Sequence, residues 1–266
     1  MKTAAIAAVF LGAACCAGTA EAAPCGGDFA AWNATFQREA ASKGISARAI
    51  AGLDGLTPDP QVISLDRRQG HFSKSFEEFG APRIAARMSK AQGMLQKHGA
   101  LLSRIEQQYG VPGAVVIAIW ALETDFGAVM GRQNALRALA TLAHDCRRTE
   151  RFQNELLDAL RIIDRGDLSP AEMRGAWAGE LGQTQFLPSS YLKFAVDFDG
   201  NGKRDLIRSV PDVLASTANY LRGYGWQRGG RFSEGTPNYA VLKEWNKSAV
   251  YQKTIAVFAS RLMGLQ

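Results

Sequence analysis

The sequence has few histidines and lacks the motifs of several common enzyme classes. Its three histidines, His71, His98 and His144, stand far apart among 266 residues. It has no Gly-x-Ser-x-Gly turn, no glycine-rich phosphate-binding loop and no His-Glu-x-x-His helix. These absences argue against a serine hydrolase, a nucleotide-dependent enzyme and a zinc peptidase.

Long apolar runs are also missing, except at the N-terminus. Lys2, the apolar run of residues 4–17 and the small residues around Ala22 have the pattern of a cleaved secretory signal peptide. We expect cleavage after Ala22 and export to the periplasm. A lipid anchor at Cys15 is not expected, because Gly12 stands where a lipoprotein signal has a branched aliphatic residue. No later stretch approaches the 18 uncharged apolar residues of a membrane-spanning helix.

Cysteine is scarce once residues 1–22 are removed, and only Cys25 and Cys146 remain. In an oxidising compartment these two predict one disulfide, and two free thiols are the alternative. The net charge of +6 favours polyanionic partners, which outside the cytoplasm are cell-wall polymers and anionic lipid surfaces. We expect no nucleic-acid binding, because the sequence lacks the mixed aromatic and basic pattern of such modules.

Strand-like alternation is nearly absent, and helical periodicity runs through most of the chain. We therefore predict a mainly α fold with at most a short β hairpin, near residues 197–207. Helices are predicted over residues 28–43, 46–55, 83–109, 134–144 and 149–165. Breaks are predicted at residues 58–60 and at the Gly-Ala-Pro sequence of residues 80–82.

One carboxylate interrupts an otherwise apolar helix. Pro112 suits the first turn of this helix and Gly127 suits a left-handed end. On a 3.6-residue period Glu123 shares a face with Ile119 and Trp120. Desolvation raises a carboxyl pKa, which a general acid needs near neutral pH. The alternative is a buried ion pair between Glu123 and an arginine.

The segment of residues 177–191 differs in composition from the helices around it. Gln183, Thr184 and Gln185 stand between small and aromatic residues, which suits a groove that binds a polar ligand against an apolar wall. The alternative is a glycine-rich loop whose amides satisfy only backbone groups. An acid in a polar and aromatic groove is what cleavage of a glycosidic bond requires.

Residues 197–208 match the first part of an EF-hand loop. The candidate metal ligands are Asp197, Asp199, Asn201, Lys203 and Asp205, with Asp212 further along the chain. Position 12 of the loop should be a bidentate Glu and is Arg208, so Asp212 would have to replace it. The alternative is a tight Asx-rich turn, with Ser209 and Asp212 spaced as a helix capping box.

Several segments, in this order, resemble the B-type lytic murein transglycosylases. They are residues 109–112, 120–127, 140–143, 177–191, the Asp-rich loop, 218–221 and 237–248. The resemblance covers almost all of the chain after residue 22. It implies a lysozyme-like helical catalytic core that cleaves the β-1,4 bond between N-acetylmuramic acid and N-acetylglucosamine without water. The product would carry a 1,6-anhydromuramyl end.

The resemblance also implies roles for individual residues. Glu123 would be the single general acid/base. Asp125 and Glu180 are the nearest carboxylates in sequence, and we expect each to be structural or to act on substrate only through its neighbours. The predicted substrate-binding residues are Gln183, Gln185, Tyr220, Asn238, Tyr239 and Asn246. The last three belong to the segment that closes the groove from the C-terminal side. Ala176 departs from the family pattern, which commonly has Ser there.

These expectations divide the chain into a signal peptide and one lytic transglycosylase domain, residues 23–266. Its parts would be a helical N-terminal region at 23–110, a catalytic core at 111–225 and a closing segment at 226–266. We expect a monomer that acts on peptidoglycan glycan strands, requires no cofactor, and meets cell-wall synthesis or division proteins. The Asp-rich loop is a candidate site for a structural calcium ion. The rival functions are a hydrolytic muramidase and a non-catalytic peptidoglycan-binding protein.

Overall fold

The computed structural model describes residues 24–68 and 74–265, which form twelve α-helices and one short pair of strands. The first five helices are α1 (Phe29–Ser42), α2 (Ala47–Ile50), α3 (Pro60–Arg67), α4 (Phe76–Lys97) and α5 (Gly99–Tyr109). Then come α6 (Gly113–Thr124), α7 (Ala135–His144), α8 (Thr149–Arg165), α9 (Pro188–Phe194), α10 (Val210–Gly223), α11 (Pro237–Trp245) and α12 (Ala249–Leu262). The mainly α prediction is confirmed, whereas the predicted signal peptide lies outside the described residues.

The predicted break at residues 80–82 is wrong, because α4 continues through it. The helix begins earlier, where Ser75 and Glu78 form a reciprocal capping box, and Pro82 lies inside it. Gly80 has a packing role, since a Cβ there would lie 2.4 Å from Thr254 Oγ1 on α12. The predicted helix of residues 83–109 is divided at His98, where α4 ends and α5 begins.

Helix α6 lies at the centre of the fold. Every residue from Gly113 to Ala121 is buried, so this helix has no solvent-facing side over most of its length. It contacts α4, α5, α10 and α12. One hydrophobic cluster includes Phe36 of α1, Ile117 of α6 and Phe258 of α12, and so contains residues from all three predicted parts of the domain.

The two strands do not lie where the sequence predicted a hairpin. Strand β1 (Gln133–Asn134) pairs antiparallel with β2 (Arg174–Gly175), with Gln133 opposite Gly175 and Asn134 opposite Arg174. Residues 197–207 contain no strand and instead form turns whose amides bind aspartate side chains. The hairpin prediction is therefore wrong, because oxygen-rich side chains there replace strand pairing as the backbone acceptors.

A disulfide joins Cys25 to Cys146, as the cysteine count predicted, with the two Cα atoms 5.1 Å apart. The Gly26 amide also donates to the His144 carbonyl at 2.8 Å. These contacts fix the N-terminal end of the described chain to the turn between α7 and α8. None of the helices in residues 24–68 and 74–265 has the length and apolar composition to cross a membrane.

Candidate active site

Glu123 lies one residue before the end of α6. The helix ends at Thr124, because Asp125 and Phe126 adopt left-handed φ angles of 51° and 63°. Thr124 Oγ1 accepts the Gly127 amide at 2.8 Å, which holds the reversed chain against the helix end. The left-handed cap predicted at Gly127 therefore lies two residues earlier, at Asp125. The early end leaves the Glu123 side chain at the edge of the buried core.

Two neutral side chains donate hydrogen bonds to the Glu123 carboxyl. Trp245 Nε1–H donates to Oε1 at 2.9 Å, and the Tyr251 hydroxyl donates to the same oxygen at 2.7 Å. The donors come from the end of α11 and the first turn of α12. They take the place of the arginine that the ion-pair alternative required. Since both bonds fall on Oε1, the second oxygen is the one available to carry a proton.

The surroundings of Glu123 favour its protonated form. Burial raises the pKa of Glu123 to about 7, and the charge of Glu180 acts in the same direction. The hydrogen bonds from Trp245 and Tyr251 lower this pKa, because they stabilise the carboxylate, but their effect is smaller than that of burial. A carboxyl group with such a pKa exchanges its proton near neutral pH, as general acid/base catalysis requires.

A cavity of about 400 Å³ opens beside this carboxyl. Its lining combines charged, polar and aromatic side chains: Glu123, Arg151, Ala176, Glu180, Thr184, Gln185, Phe186, Leu187, Ser190, Tyr220, Glu244, Trp245, Asn246 and Lys247. Phe186, Tyr220 and Trp245 pack edge to face, with centroid separations of 4.9 to 5.7 Å. The cavity therefore has the polar and aromatic character that the sequence predicted for a groove.

Three of the predicted substrate-binding residues, Gln185, Tyr220 and Asn246, line this cavity together with Glu123. The Gln185 amide is held by bonds from Nε2 to the Met130 carbonyl at 3.1 Å and the Gly182 carbonyl at 2.9 Å. Both bonds use the nitrogen, so the Gln185 amide oxygen stays available to a ligand. Gln185 has a left-handed φ of 54°, which places it in a tight turn at the cavity wall.

Gln183 does not line the cavity. Its side-chain oxygen accepts Trp120 Nε1–H at 2.9 Å, and its nitrogen donates to the Ile207 carbonyl at 2.8 Å. The backbone carbonyl of Gln183 accepts the Thr124 hydroxyl at 2.6 Å. The residue thus joins the end of α6 to the 177–191 loop. Its predicted contact with substrate stays a prediction, and the contacts present are structural.

Asn238 and Tyr239 also lie away from the cavity. Asn238 is buried, accepts the Gln227 amide at 2.7 Å and donates to the Gly230 carbonyl at 3.0 Å. It therefore holds the short connection before α11 in place. Tyr239 lines a separate cavity of about 460 Å³ beside α12. The predicted closing segment reaches the Glu123 cavity through Trp245, Asn246 and Lys247 instead.

The two hydrogen-bond donors to Glu123 were not predicted from the sequence. Trp245 lies within the segment 237–248 that carried the family resemblance, which was the available signal. Tyr251 lies on a helix with ordinary amphipathic composition, and nothing local distinguishes it. Glu180 was expected to be structural or to act only through its neighbours, and it lines the same cavity as Glu123.

The predicted metal loop brings together three of its six candidate ligands. Asp197, Asp199 and Asp212 place carboxylate oxygens within 4.8 Å of one another. Calcium binds oxygen at about 2.3 to 2.6 Å, so two oxygens on opposite sides of one ion are separated by about twice that distance. The spacing of the three carboxylates is therefore compatible with one calcium ion. Asp205 lies outside the group, and its carboxylate binds Arg208 Nε at 2.6 Å.

Other contacts in this loop are those of the alternative, an Asx-rich turn, and one half of the capping box is present. Asn201 Oδ1 accepts the Lys203 amide at 2.9 Å, as in an Asx turn. Ser209 caps α10 by accepting the Asp212 amide at 3.3 Å. Asp212 does not return this bond, because its carboxylate accepts amides from the loop, including that of Asp205 at 2.9 Å. Asp212 therefore joins α10 to the loop.

Residues 28–234 match the family model described as a transglycosylase SLT domain. Membrane-bound lytic murein transglycosylase B of Escherichia coli K12 is 42% identical over 129 residues, which are 48% of this chain and 36% of that protein. The matched stretch thus spans only about a third of that relative's length.

Solved structures resemble a larger part of the chain. SltB3 of Pseudomonas aeruginosa, in complex with NAG-NAM-pentapeptide, has a TM-score of 0.84 and 30% identity, covering 90% of this chain and 80% of that one. The same protein in complex with NAG-anhNAM-pentapeptide has a TM-score of 0.83, with the same identity and coverage. The Escherichia coli lytic transglycosylase Slt35, in complex with calcium, has a TM-score of 0.79 and 25% identity, covering 91% and 96% of the two chains.

Proposed function

The chain belongs to the family of transglycosylase SLT domains, and on this basis we propose that it is a lytic transglycosylase that cleaves peptidoglycan glycan strands. The observation that carries the proposal is Glu123, a carboxyl group with a pKa of about 7 at the wall of a polar and aromatic cavity. The complexes of SltB3 with NAG-NAM-pentapeptide and NAG-anhNAM-pentapeptide support the substrate and product classes.

In the proposed reaction Glu123 acts twice. Its proton passes to the oxygen that links C1 of N-acetylmuramic acid to N-acetylglucosamine, and the C1–O bond breaks. The Glu123 carboxylate then takes the proton from the 6-hydroxyl of the same muramic residue, whose oxygen bonds to C1. The products are a free 4-hydroxyl and a 1,6-anhydro ring, and Glu123 is protonated again. No water is consumed and no second catalytic carboxylate is required.

The neutral donors around Glu123 suit this alternation. The hydrogen bonds from Trp245 and Tyr251 stabilise the carboxylate formed after the first proton transfer. An arginine in their place would lower the pKa strongly and keep Glu123 ionised before the reaction began. Two neutral donors in a desolvated setting instead leave both protonation states accessible near pH 7.

The test is product release from purified sacculi by the Glu123→Gln variant. We expect loss of anhydromuropeptides by at least about 100-fold, the size of effect typical for a general acid/base. The Glu150→Gln variant, which removes an exposed carboxylate on α8, is the control and should retain activity. Release at the wild-type rate by Glu123→Gln would overturn the proposal.

A hydrolytic muramidase is the second candidate, because Glu180 gives the same cavity a second carboxyl group. Glycosidases that use water generally require two carboxyl groups. This enzyme would release products with a reducing-end muramic acid, heavier by one water than the anhydro form, so mass spectrometry of the digest separates the two. Binding to sacculi without any product would indicate the non-catalytic alternative.

We also propose that the loop of residues 197–205 binds a structural calcium ion. The three carboxylates of Asp197, Asp199 and Asp212 suit a hard cation that prefers oxygen ligands. Slt35, a solved relative, forms a complex with calcium. The ion would offset the repulsion among these carboxylates and connect the loop to the first turn of α10, where Asp212 lies.

A periplasmic location is part of the proposal. The Cys25–Cys146 disulfide supports it, because such bonds persist in oxidising compartments. The signal peptide at residues 1–22, a monomeric state and contacts with cell-wall synthesis or division proteins stay predictions.

A further inference from the structure

Glu180 is a second acidic side chain in the cavity of Glu123. Its backbone position is closely fixed by the neighbouring strand. The Ala176 amide donates to the Glu180 carbonyl at 3.0 Å, and a Cβ on Gly175 would lie only 1.8 Å from that same oxygen. Glycine at position 175 is therefore needed for this close approach. The Glu180 side chain begins from a rigid part of the cavity wall.

Glu180 has a cation among the groups that lower its pKa. The Ala178 amide donates to Glu180 Oε2 at 3.1 Å, and the Arg151 guanidinium of α8 lines the same cavity. Burial holds the pKa of Glu180 above its ordinary value. Its own backbone amide, the Ala178 amide and the charge of Arg151 act in the opposite direction, and the charge of Glu155 on α8 adds a smaller increase. Glu180 thus has a cation nearby that favours its ionised form.

On α4, the charges of Arg83 and Arg87 act on Tyr251, and Arg87 Nε donates to the Ala121 carbonyl at 3.0 Å. Among the described residues, Glu123 itself accepts hydrogen bonds from two neutral donors and none from a cation. Its pKa is raised first by burial and further by the charge of Glu180, and is lowered only by the neutral donors Trp245 and Tyr251. The other charged groups that line the cavity, Glu244 and Lys247, form an ion pair with each other at 2.8 Å. Because of this difference in surroundings, the first proton to leave the pair of acids is lost from Glu180 and not from Glu123.

We propose that Glu180 is a positioning residue whose carboxylate, stabilised by Arg151 and the Ala178 amide, keeps the catalytic proton on Glu123. The proposal rests on the function proposed above, because it assigns Glu180 an effect on the same acid. Two like charges in one desolvated cavity disfavour each other, so ionisation of Glu180 delays that of Glu123. Glu180 would not touch the reacting atoms.

The test compares the pH dependence of anhydromuropeptide release by wild type and Glu180→Gln. Gln keeps the shape of Glu and cannot ionise. The alkaline limb of the pH profile, where the rate falls as Glu123 loses its proton, should therefore move to lower pH by about 0.5 to 1 unit. At pH values above the alkaline limbs of both enzymes, a one-unit shift means that the rate of Glu180→Gln is about tenfold lower than that of wild type. At acidic pH, where Glu180 is protonated in wild type, the two rates should agree within about twofold.

The control is Glu150→Gln, which makes the same change in net charge on an exposed position of α8 and should leave the limb in place. Glu180→Ala should shift the limb in the same direction as Glu180→Gln, because charge rather than shape is responsible. A structural role would instead lower the rate equally at all pH values, and that result overturns the inference. An unmoved limb in folded Glu180→Gln overturns it as well.

A measurement independent of turnover is the NMR titration of ¹³C-labelled glutamate carboxyl groups, with the Glu123 signal assigned through Glu123→Gln. The Glu123 midpoint should fall in Glu180→Gln by the same amount as the kinetic limb. An unchanged Glu123 midpoint overturns this inference alone, provided that wild type releases anhydro products. Failure of wild type to release them overturns the proposed function instead, so the two failures are distinguishable.

Discussion

Tyr251→Phe tests whether the hydrogen bonds to Glu123 stabilise its carboxylate. The Tyr251 hydroxyl donates to Glu123 Oε1 at 2.7 Å, and burial raises the pKa of Tyr251, so the hydroxyl stays protonated and remains a donor. A bond to a charged acceptor contributes about 1.5 to 3 kcal/mol, and one to a neutral acceptor about 0.5 to 1.5 kcal/mol. The difference of about 1 to 1.5 kcal/mol corresponds to about one pKa unit.

The direction of the shift follows from which form of Glu123 loses a partner. Glu123 has a pKa of about 7, and removal of a donor destabilises its carboxylate, so the pKa rises. A general acid is active while protonated, and the alkaline limb of the rate should therefore move up by about one unit. Below that limb the rate should fall about tenfold, because the carboxylate formed after proton donation has lost about 1.4 kcal/mol of stabilisation.

The assay is anhydromuropeptide release from sacculi between pH 4 and pH 10, with the Glu123 titration followed by NMR. Tyr109→Phe is the matched control, because the Tyr109 hydroxyl accepts a bond from Gln108 at 3.1 Å, and Tyr109 lines a different cavity. A limb that stays in place, or moves to lower pH, would refute the reasoning. Trp245→Phe should move the limb in the same direction as Tyr251→Phe, because it removes the other donor to Oε1.

Three further results are expected. Replacement of Cys25 and Cys146 by Ser should lower the free energy of unfolding by about 4 to 5 kcal/mol, since the disulfide spans 121 residues, and urea titration with and without a reductant measures the loss. Calcium at about 100 times its Kd should stabilise wild type by about 2.7 kcal/mol, seen as a higher Tm, and Asp197→Asn should reduce this gain. Gln183→Ala should cost about 1 to 3 kcal/mol in the same urea assay, because it leaves the buried Trp120 Nε1–H without its acceptor.

Helices whose ends carry local signals were predicted closely from the sequence. Helix α8 spans Thr149–Arg165 as predicted, and α1 begins after Asp28, whose side chain accepts the Ala31 amide at 2.8 Å. The break predicted at Gly80 was wrong because the role of this glycine depends on Thr254, a residue far away in sequence. A window along one helix contains no information about the helix packed against it.

The residues of the candidate active site also differ in whether the local sequence predicts them. A charge on an apolar helix made Glu123 a candidate, with an ion pair as the alternative, and the family resemblance implied its catalytic role. Its donor Tyr251 is 128 residues away, and only the packing of α12 against α6 brings the two together. Gln183 was predicted to bind substrate because polar residues in a glycine-rich loop suit a groove. In the structure its side chain satisfies Trp120 inside the core, a need that the loop sequence does not reveal, and its contact with substrate stays a prediction.

The double variant Glu180→Gln/Tyr251→Phe tests whether both residues act through the Glu123 carboxyl. Removal of the Glu180 charge should lower the pKa of Glu123, and removal of the Tyr251 donor should raise it. If both effects act on one titration, the alkaline limb of the double variant should lie between those of the single variants and close to wild type. The rate at acidic pH should still resemble that of Tyr251→Phe, because the carboxylate formed in the reaction lacks the same donor. Two effects on separate groups would not cancel, so a limb that coincides with either single variant would contradict a shared action on Glu123.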